Sequence, residues 1–297
     1  MRIDSTGAQP TILSCAEVNF TSISLTSGKY LQQYYMDRSH LINAMLKCSG
    51  NDYYVLESQS ELYPGQYNIS ILNAETGGFT PKASFYIPEQ PRIIWQSNSI
   101  DLQNGLAFAT YCPSNTSYLS IFNMNTETVE TIESSSYCQL YALGAYDSAN
   151  QLYYLYGFNT GTLKALSFGV YSMITKSFTY HDIPFEMQHW SYVQSVFVYQ
   201  STVYVGLFQN SYYQLITVDC DTKTTRSIFK ADYFPFEQYT LDFVFDSNGY
   251  IVIIAKNPPN YSIFTIDLQT EQYTNHTIPN IAAELAVNFE SNSCCAQ

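Results

Sequence analysis

Apolar positions along this chain come in short beats. Runs such as Gln151-Leu152-Tyr153-Tyr154-Leu155-Tyr156-Gly157, Ser201-Thr202-Val203-Tyr204-Val205-Gly206-Leu207 and Tyr250–Ala255 are rich in β-branched and aromatic residues, and Asn, Gly, Pro and Asp separate them. This pattern predicts β-strands of about five to eight residues. None of the runs approaches the roughly 18 apolar residues of a membrane span. The clearest stretch predicts four antiparallel strands in succession: Tyr239–Asp246, a turn at Ser247-Asn248-Gly249, Tyr250–Ala255, a link over Lys256–Asn260, Tyr261–Asp267, a turn over Leu268–Glu271, and Gln272–Ile278.

The same unit recurs along the chain. Ile69–Thr76, Ser120–Glu127, Gly169–Lys176, Ile216–Lys223 and Phe264–Glu271, with a fainter copy at Ser22–Gly28, each read as a strand, a small polar residue, then a turn rich in Thr, Lys, Glu or Gly. The polar residues Ser24, Asn73, Asn123, Ser172, Asp219 and Asp267 are spaced 49, 50, 49, 47 and 48 apart. Four short strands at that period match the size of a propeller blade.

The strand–turn pattern, as in Thr265-Ile266-Asp267-Leu268-Gln269-Thr270, resembles the third strand of kelch, YVTN and NHL-type blades, and over its whole length the chain resembles the β-propeller superfamily. The expected fold is an all-β, six-bladed β-propeller with four antiparallel strands per blade. It forms one domain over residues 1–297, ending in a short polar tail at 291–297. Glu284–Glu290 has a first-strand pattern, while Thr11–Ala16, Phe20–Leu25 and Tyr30–Tyr35 read as second, third and fourth strands. One blade is therefore expected to join one C-terminal strand to three N-terminal ones, which would bury both free edges.

Charge narrows the partners. The chain carries 12 Lys and Arg against 25 Asp and Glu, a net charge of −13, and has no basic cluster, so nucleic acid is excluded. Charged residues make up 12% of the chain, but 46% is hydrophobic with 28 Tyr and 18 Phe, which excludes a disordered polyanion. Sparse Lys and a surface rich in Tyr, Ser, Thr and Asn point to an extracellular protein whose leader is absent from the sequence shown; a cytosolic protein is the alternative. Five sequons, at Asn19, Asn68, Asn115, Asn260 and Asn275, are candidate glycosylation sites, though composition alone yields a similar number. The 7 Cys form no CxxC pair, which argues against structural zinc. Cys112 with Cys138, and Cys15 with Cys48, are candidate bridges between neighbouring blades.

The loops that lead into each first strand share chemistry. Glu89, Glu186, Glu237 and Glu284 recur just ahead of that strand, and a ring of such carboxylates at a channel mouth would suit Ca2+. The alternative is solvated turn residues. Both tryptophans, Trp95 and Trp190, fall in the same segments, near Gln90, His189, Gln238 and Tyr239. Aromatic rings beside amides and carboxylates hold sugars by covering C–H faces and bonding hydroxyls, although such rings also pack between blades. Asp219 and Asp267, at the repeat position, are expected to bond the turn backbone. No nucleophile, metalloprotease or phosphate-loop motif is present.

The function expected is a non-catalytic extracellular module that presents a face lined by Trp, Tyr, Glu and Gln to a glycan or a protein. A propeller that self-assembles into a coat or fibre is one alternative. A cation-dependent hydrolase or lyase at the channel mouth is another.

Overall fold

The computed structural model describes residues 11–16, 19–24, 30–35, 40–49, 52–59, 65–73, 76, 78–86, 97–111, 116–137, 143–157, 164–187, 191–209, 212–232, 241–245, 249–257, 260–279 and 293–294. Among them all regular structure is β, and no helix is long and apolar enough to cross a membrane. The chain divides into two compact units, one from residues 92–235 and one from residues 1–91 with 236–297.

The continuous unit holds three four-stranded antiparallel sheets. Their strands are β8 (Ser97–Asp101), β9 (Leu106–Tyr111), β10 (Thr116–Asn123) and β11 (Thr128–Tyr137); β12 (Leu143–Asp147), β13 (Leu152–Gly157), β14 (Ala165–Ser172) and β15 (Ser177–Pro184); and β16 (Tyr192–Tyr199), β17 (Thr202–Gln209), β18 (Tyr212–Asp219) and β19 (Thr224–Asp232). Second strands are buried on both faces, which is why Leu152–Gly157 and Thr202–Gln209 read as nearly unbroken apolar runs. Fourth strands are edges: in Ser177–Pro184 most side chains meet solvent, and the sequence there turns polar. Each fully buried Leu, such as Leu155 or Leu215, contributes about 2 kcal/mol by transfer from water.

First strands in this unit lie side by side. The Tyr146 N–H donates to Ser99 Oγ at 3.1 Å, and Ser201 Oγ donates to Asp147 Oδ1 at 3.2 Å from one sheet to the next. Phe108 stacks on Tyr146 with ring centroids 4.0 Å apart, locking the β8–β11 and β12–β15 sheets together. A second core, including Tyr156, Leu166, Phe168, Val205, Leu207 and Ile216, joins β12–β15 to β16–β19.

The other unit also contains three sheets. One is β4 (His40–Ser49), β5 (Asp52–Gln59), β6 (Gln66–Asn73) and β7 (Phe79–Tyr86), and a second is β20 (Leu241–Phe245), β21 (Tyr250–Asn257), β22 (Asn260–Asp267) and β23 (Gln272–Pro279). The third has the order β24-β1-β2-β3, from β24 (Ser293–Cys294), β1 (Thr11–Ala16), β2 (Asn19–Ser24) and β3 (Tyr30–Tyr35).

The expectation of six full four-stranded blades needs correction. Among the described residues five sheets are complete blades of four consecutive strands. The remaining sheet is three N-terminal strands with a two-residue bridge, in which Cys294 pairs with Leu13 and Ser293 with Ser14. Two ladder pairs cover too little edge to count as a fourth strand of blade length. The segment 284–290, expected to close that blade, lies outside the described residues, and the pairing comes instead from residues read as polar tail.

Candidate functional site

Each blade has two ends. The turns between first and second strands and between third and fourth strands share one end, and the repeat residues build it. The Asn73, Asn123, Ser172, Asp219 and Asp267 side chains each accept from the N–H three residues on: Thr76 at 2.9 Å, Thr126 at 3.2 Å, Thr175 at 3.1 Å, Thr222 at 2.9 Å and Thr270 at 3.3 Å. A left-handed residue follows in four of them, Glu127, Lys176, Lys223 and Glu271, with φ of 53–56°. The hydrogen bond from the Thr222 N–H, and further ones from its side chain and from Asp221, hold the Asp219 carboxyl below the usual carboxylate range. Asp219 and Asp267 therefore act on the backbone, as the sequence predicts, and form a rigid, repetitive surface.

The opposite end carries the loops leading into first strands. Trp95, Glu89, Gln90, Trp190, His189, Glu237, Gln238, Tyr239 and Glu284 lie outside the described residues. Glu186 is described: it is exposed, between Phe185, whose N–H donates to the Lys164 carbonyl at 3.0 Å, and the buried Met187. Among the described residues no three His, Cys, Asp or Glu side chains gather where a metal ion could sit.

The β16–β19 blade shows what this end can do. Tyr192 opens β16, Phe208 lies opposite it on β17, and Tyr213 lies opposite Phe208 on β18. Their ring centroids are 5.2 Å and 5.6 Å apart, and the row grades from the buried Tyr213 to Tyr192, which is 47% exposed. On the alternate face, the Lys230 ammonium sits 3.6 Å from the centroid of the Tyr212 ring. Gln209, 1% exposed, accepts a hydrogen bond at 2.8 Å from Ser191 Oγ, just ahead of Tyr192. An exposed ring backed by two more is a platform for a flat apolar surface. The residues expected here from the sequence are Trp190 and His189 rather than Tyr192, which follows Trp190 by two positions and opens β16. The apolar run Val196–Tyr199 beyond it marks the strand that carries it.

Other sequence candidates fall elsewhere. Cys112 and Cys138 lie outside the described residues, and Cys15 and Cys48 stand on β1 and β4, whose backbone alone is described at those positions. Among the described residues there is no disulfide, and Cys220 is a free, buried thiol. Burial, with Asp221 and Asp219 nearby, pushes it up to about 12, so it stays a protonated apolar filler at neutral pH rather than a nucleophile. Of the sequons, Asn275 is exposed on β23, whereas Asn68 is 3% exposed and accepts from Ser84 Oγ at 2.8 Å, so a sugar there would have to displace the packed strand. Asn19 and Asn260 begin β2 and β22, and Asn115 lies outside the described residues.

No known family matches the chain, and no curated protein does. Solved structures do. TolB from Acinetobacter baumannii aligns with a TM-score of 0.60 and 8% identity over 97% of this chain and 66% of that one. A nidogen/laminin complex aligns at 0.55 and 8% over 96% and 97%, and an oligogalacturonate lyase in complex with manganese at 0.51 and 8% over 86% and 69%. Identity at that level carries the fold and nothing finer. With four-stranded antiparallel sheets repeating at the blade period, the chain is a β-propeller.

Proposed function

We propose that this chain is an extracellular, non-catalytic binding module whose leading end takes a glycan. The observation that carries this reading is the Tyr192–Phe208–Tyr213 row, a supported aromatic surface open to solvent at Tyr192. Apolar C–H faces of a sugar stack on such a ring. The exposed sequon at Asn275 and the low Lys content are in keeping with passage through a secretory route.

The test uses the full chain and ligand-observed saturation-transfer NMR with the methyl glycosides of glucose, galactose, mannose and N-acetylglucosamine. Transfer to at least one glycoside is expected, with a loss of about tenfold in affinity for Tyr192→Ala. Thermal stability should hardly change, since the ring is half exposed. A wild-type chain that takes up none of the four would discard the glycan reading.

A further inference from the structure

Strand β15 ends its sheet, so one edge of its backbone has no strand beside it among the described residues. Natural sheets guard such edges with bulges, proline or charge, because a bare ladder of N–H and C=O groups pairs with another strand that meets it. The other described fourth strands carry such guards. β7 holds Pro81 and Lys82, with Lys82 the extra residue of a register shift. β19 holds Arg226 and Lys230 and is shifted at Ile228. The β11 ladder is broken between Thr116 and Tyr118, and that strand holds Glu130 and Glu133; β3 is shifted at Leu31. β23 is regular, but Asn275 of its sequon stands exposed midway along it.

β15 has none of these. It pairs with β14 residue for residue from Ala165–Pro184 to Ser172–Ser177, with no register shift, and its one proline lies at the far end. Its one carboxylate is Asp182, and it holds no Lys or Arg. Tyr180, midway along, is 50% exposed and stacks on Phe178 with ring centroids 5.9 Å apart.

We propose that this edge takes the same edge of a second copy of the chain, the two β15 strands running antiparallel about a twofold axis at Tyr180. A twofold interface must be complementary to itself, and the charges here are. With Tyr180 opposite its own copy, Phe178 faces Asp182 and Thr179 faces His181. No like charges meet, and Phe178 and Tyr180 of both copies form one aromatic row on a single face. Lys176, just ahead of β15, lies diagonal to Asp182 of the second copy, within reach of a long side chain, and the axis makes that pair twice. Both groups are available. Lys176 Nζ is 3.9 Å from Glu130, with both side chains exposed, and keeps donors to spare. Asp182 is exposed and accepts from Ser167 Oγ through Oδ1 alone, at 2.5 Å. Ile174, 72% exposed in the turn that leads into β15, comes level with Glu186 of the second copy, next to Phe185. The net charge of −13 on each copy repels, but salt screens that repulsion beyond about 8 Å. One short edge buries little surface, so the dimer is weak.

The test is sedimentation equilibrium of the full chain without sugar, so its outcome is independent of the glycan reading. Wild type is expected to dimerise with a Kd between about 10 and 300 µM. Tyr180→Lys sets two ammonium groups against each other across the axis and should weaken the dimer by about tenfold or more. Lys176→Glu and Asp182→Lys should each weaken it by about fivefold, whereas Lys176→Glu combined with Asp182→Lys restores it to within about twofold, because the swap rebuilds both pairs. A wild type that stays monomeric through about 300 µM overturns the proposal. So does a dimer that Tyr180→Lys leaves unchanged, or a charge swap that fails to recover what the single variants lose. If Tyr180→Lys does not fold, the three charge variants carry the test alone, and equal dimerisation in all of them overturns it.

Discussion

The neighbouring blades β12–β15 and β16–β19 share a register but fill it with opposite materials. In the first, Tyr146, Tyr153, Tyr171 and Phe178 face one another across all four strands. In the second, the same places hold Val198, Val203, Val218 and Thr225. The first strand adjusts in step. A Cβ added to Gly144 would lie 2.5 Å from the Tyr154 carbonyl oxygen and 2.7 Å from the Tyr153 ring, whereas the corresponding position in β16 is Val196, 7% exposed. Large side chains on the second strand therefore go with glycine on the first, and small ones with valine. One backbone tolerates both because interiors conserve volume rather than identity.

The largest effect should come from breaking that trade. Gly144→Val is expected to cost about 3 kcal/mol in urea unfolding, and Tyr153→Val a similar amount through the cavity it leaves. Combining them imports the β16–β19 solution, so the double variant should recover at least about 1 kcal/mol relative to the sum. Strict additivity would show that the two residues are not a pair.

A second difference lies in pH response. Burial pushes Tyr146 up to about 12, helped by Asp101 and Asp147, and pushes Tyr154 up to about 12; Tyr156 and Tyr171 are raised by burial as well. A folded value above the unfolded 10.0 means that this support is complete below pH 10.0 and is lost as pH rises through the folded value. Asp219 has the opposite sign: its support is complete above the unfolded 3.8 and is lost as pH falls through the lowered folded value. Hydrogen exchange should therefore show β12–β15 opening first in alkali, with Tyr154→Phe delaying it. In acid, protection around the Asp219 turn should fall while the turn at Ser172, which cannot titrate, keeps its own. Equal loss at both turns in acid would contradict this assignment.

The smallest effect tests where the blades are alike. Lys176 and Lys223 are both left-handed, at φ of 53° and 56°. Glycine relieves that strain but has more freedom to lose on folding, so Lys176→Gly and Lys223→Gly should each stabilise by about 0.5–1 kcal/mol. The exposed Lys176–Glu130 contact at 3.9 Å subtracts little. A large gap between the two variants would mean that the tips are not equivalent.

The turn end of each blade was legible because it is made locally. Asp219 bonds Asp221 and Thr222, neighbours in sequence, so a residue type at a fixed spacing suffices to predict it. The leading end is assembled across strands. Tyr192, Phe208 and Tyr213 meet through register, and one inserted residue at Gln194 changes which side chains converge. Two adjacent polar letters inside the apolar run Tyr192–Tyr199 mark that insertion, yet periodicity alone does not separate a bulge from an ordinary polar pair. The blade count failed for a related reason: a first-strand pattern at Glu284–Glu290 says nothing about which residues reach β1, and the contact is made by Ser293 and Cys294.

That contact has a consequence for how the protein is made. Residues 92–235 form a continuous unit whose partners are all available once Pro235 has left the ribosome. The other unit needs strands near both ends of the chain, since Leu13 and Ser14 wait for Ser293 and Cys294. Vectorial synthesis therefore makes every strand of residues 92–235 available while β1 still holds an open edge, and a chaperone that shields unpaired strand edges would be needed there until Ser293 and Cys294 emerge.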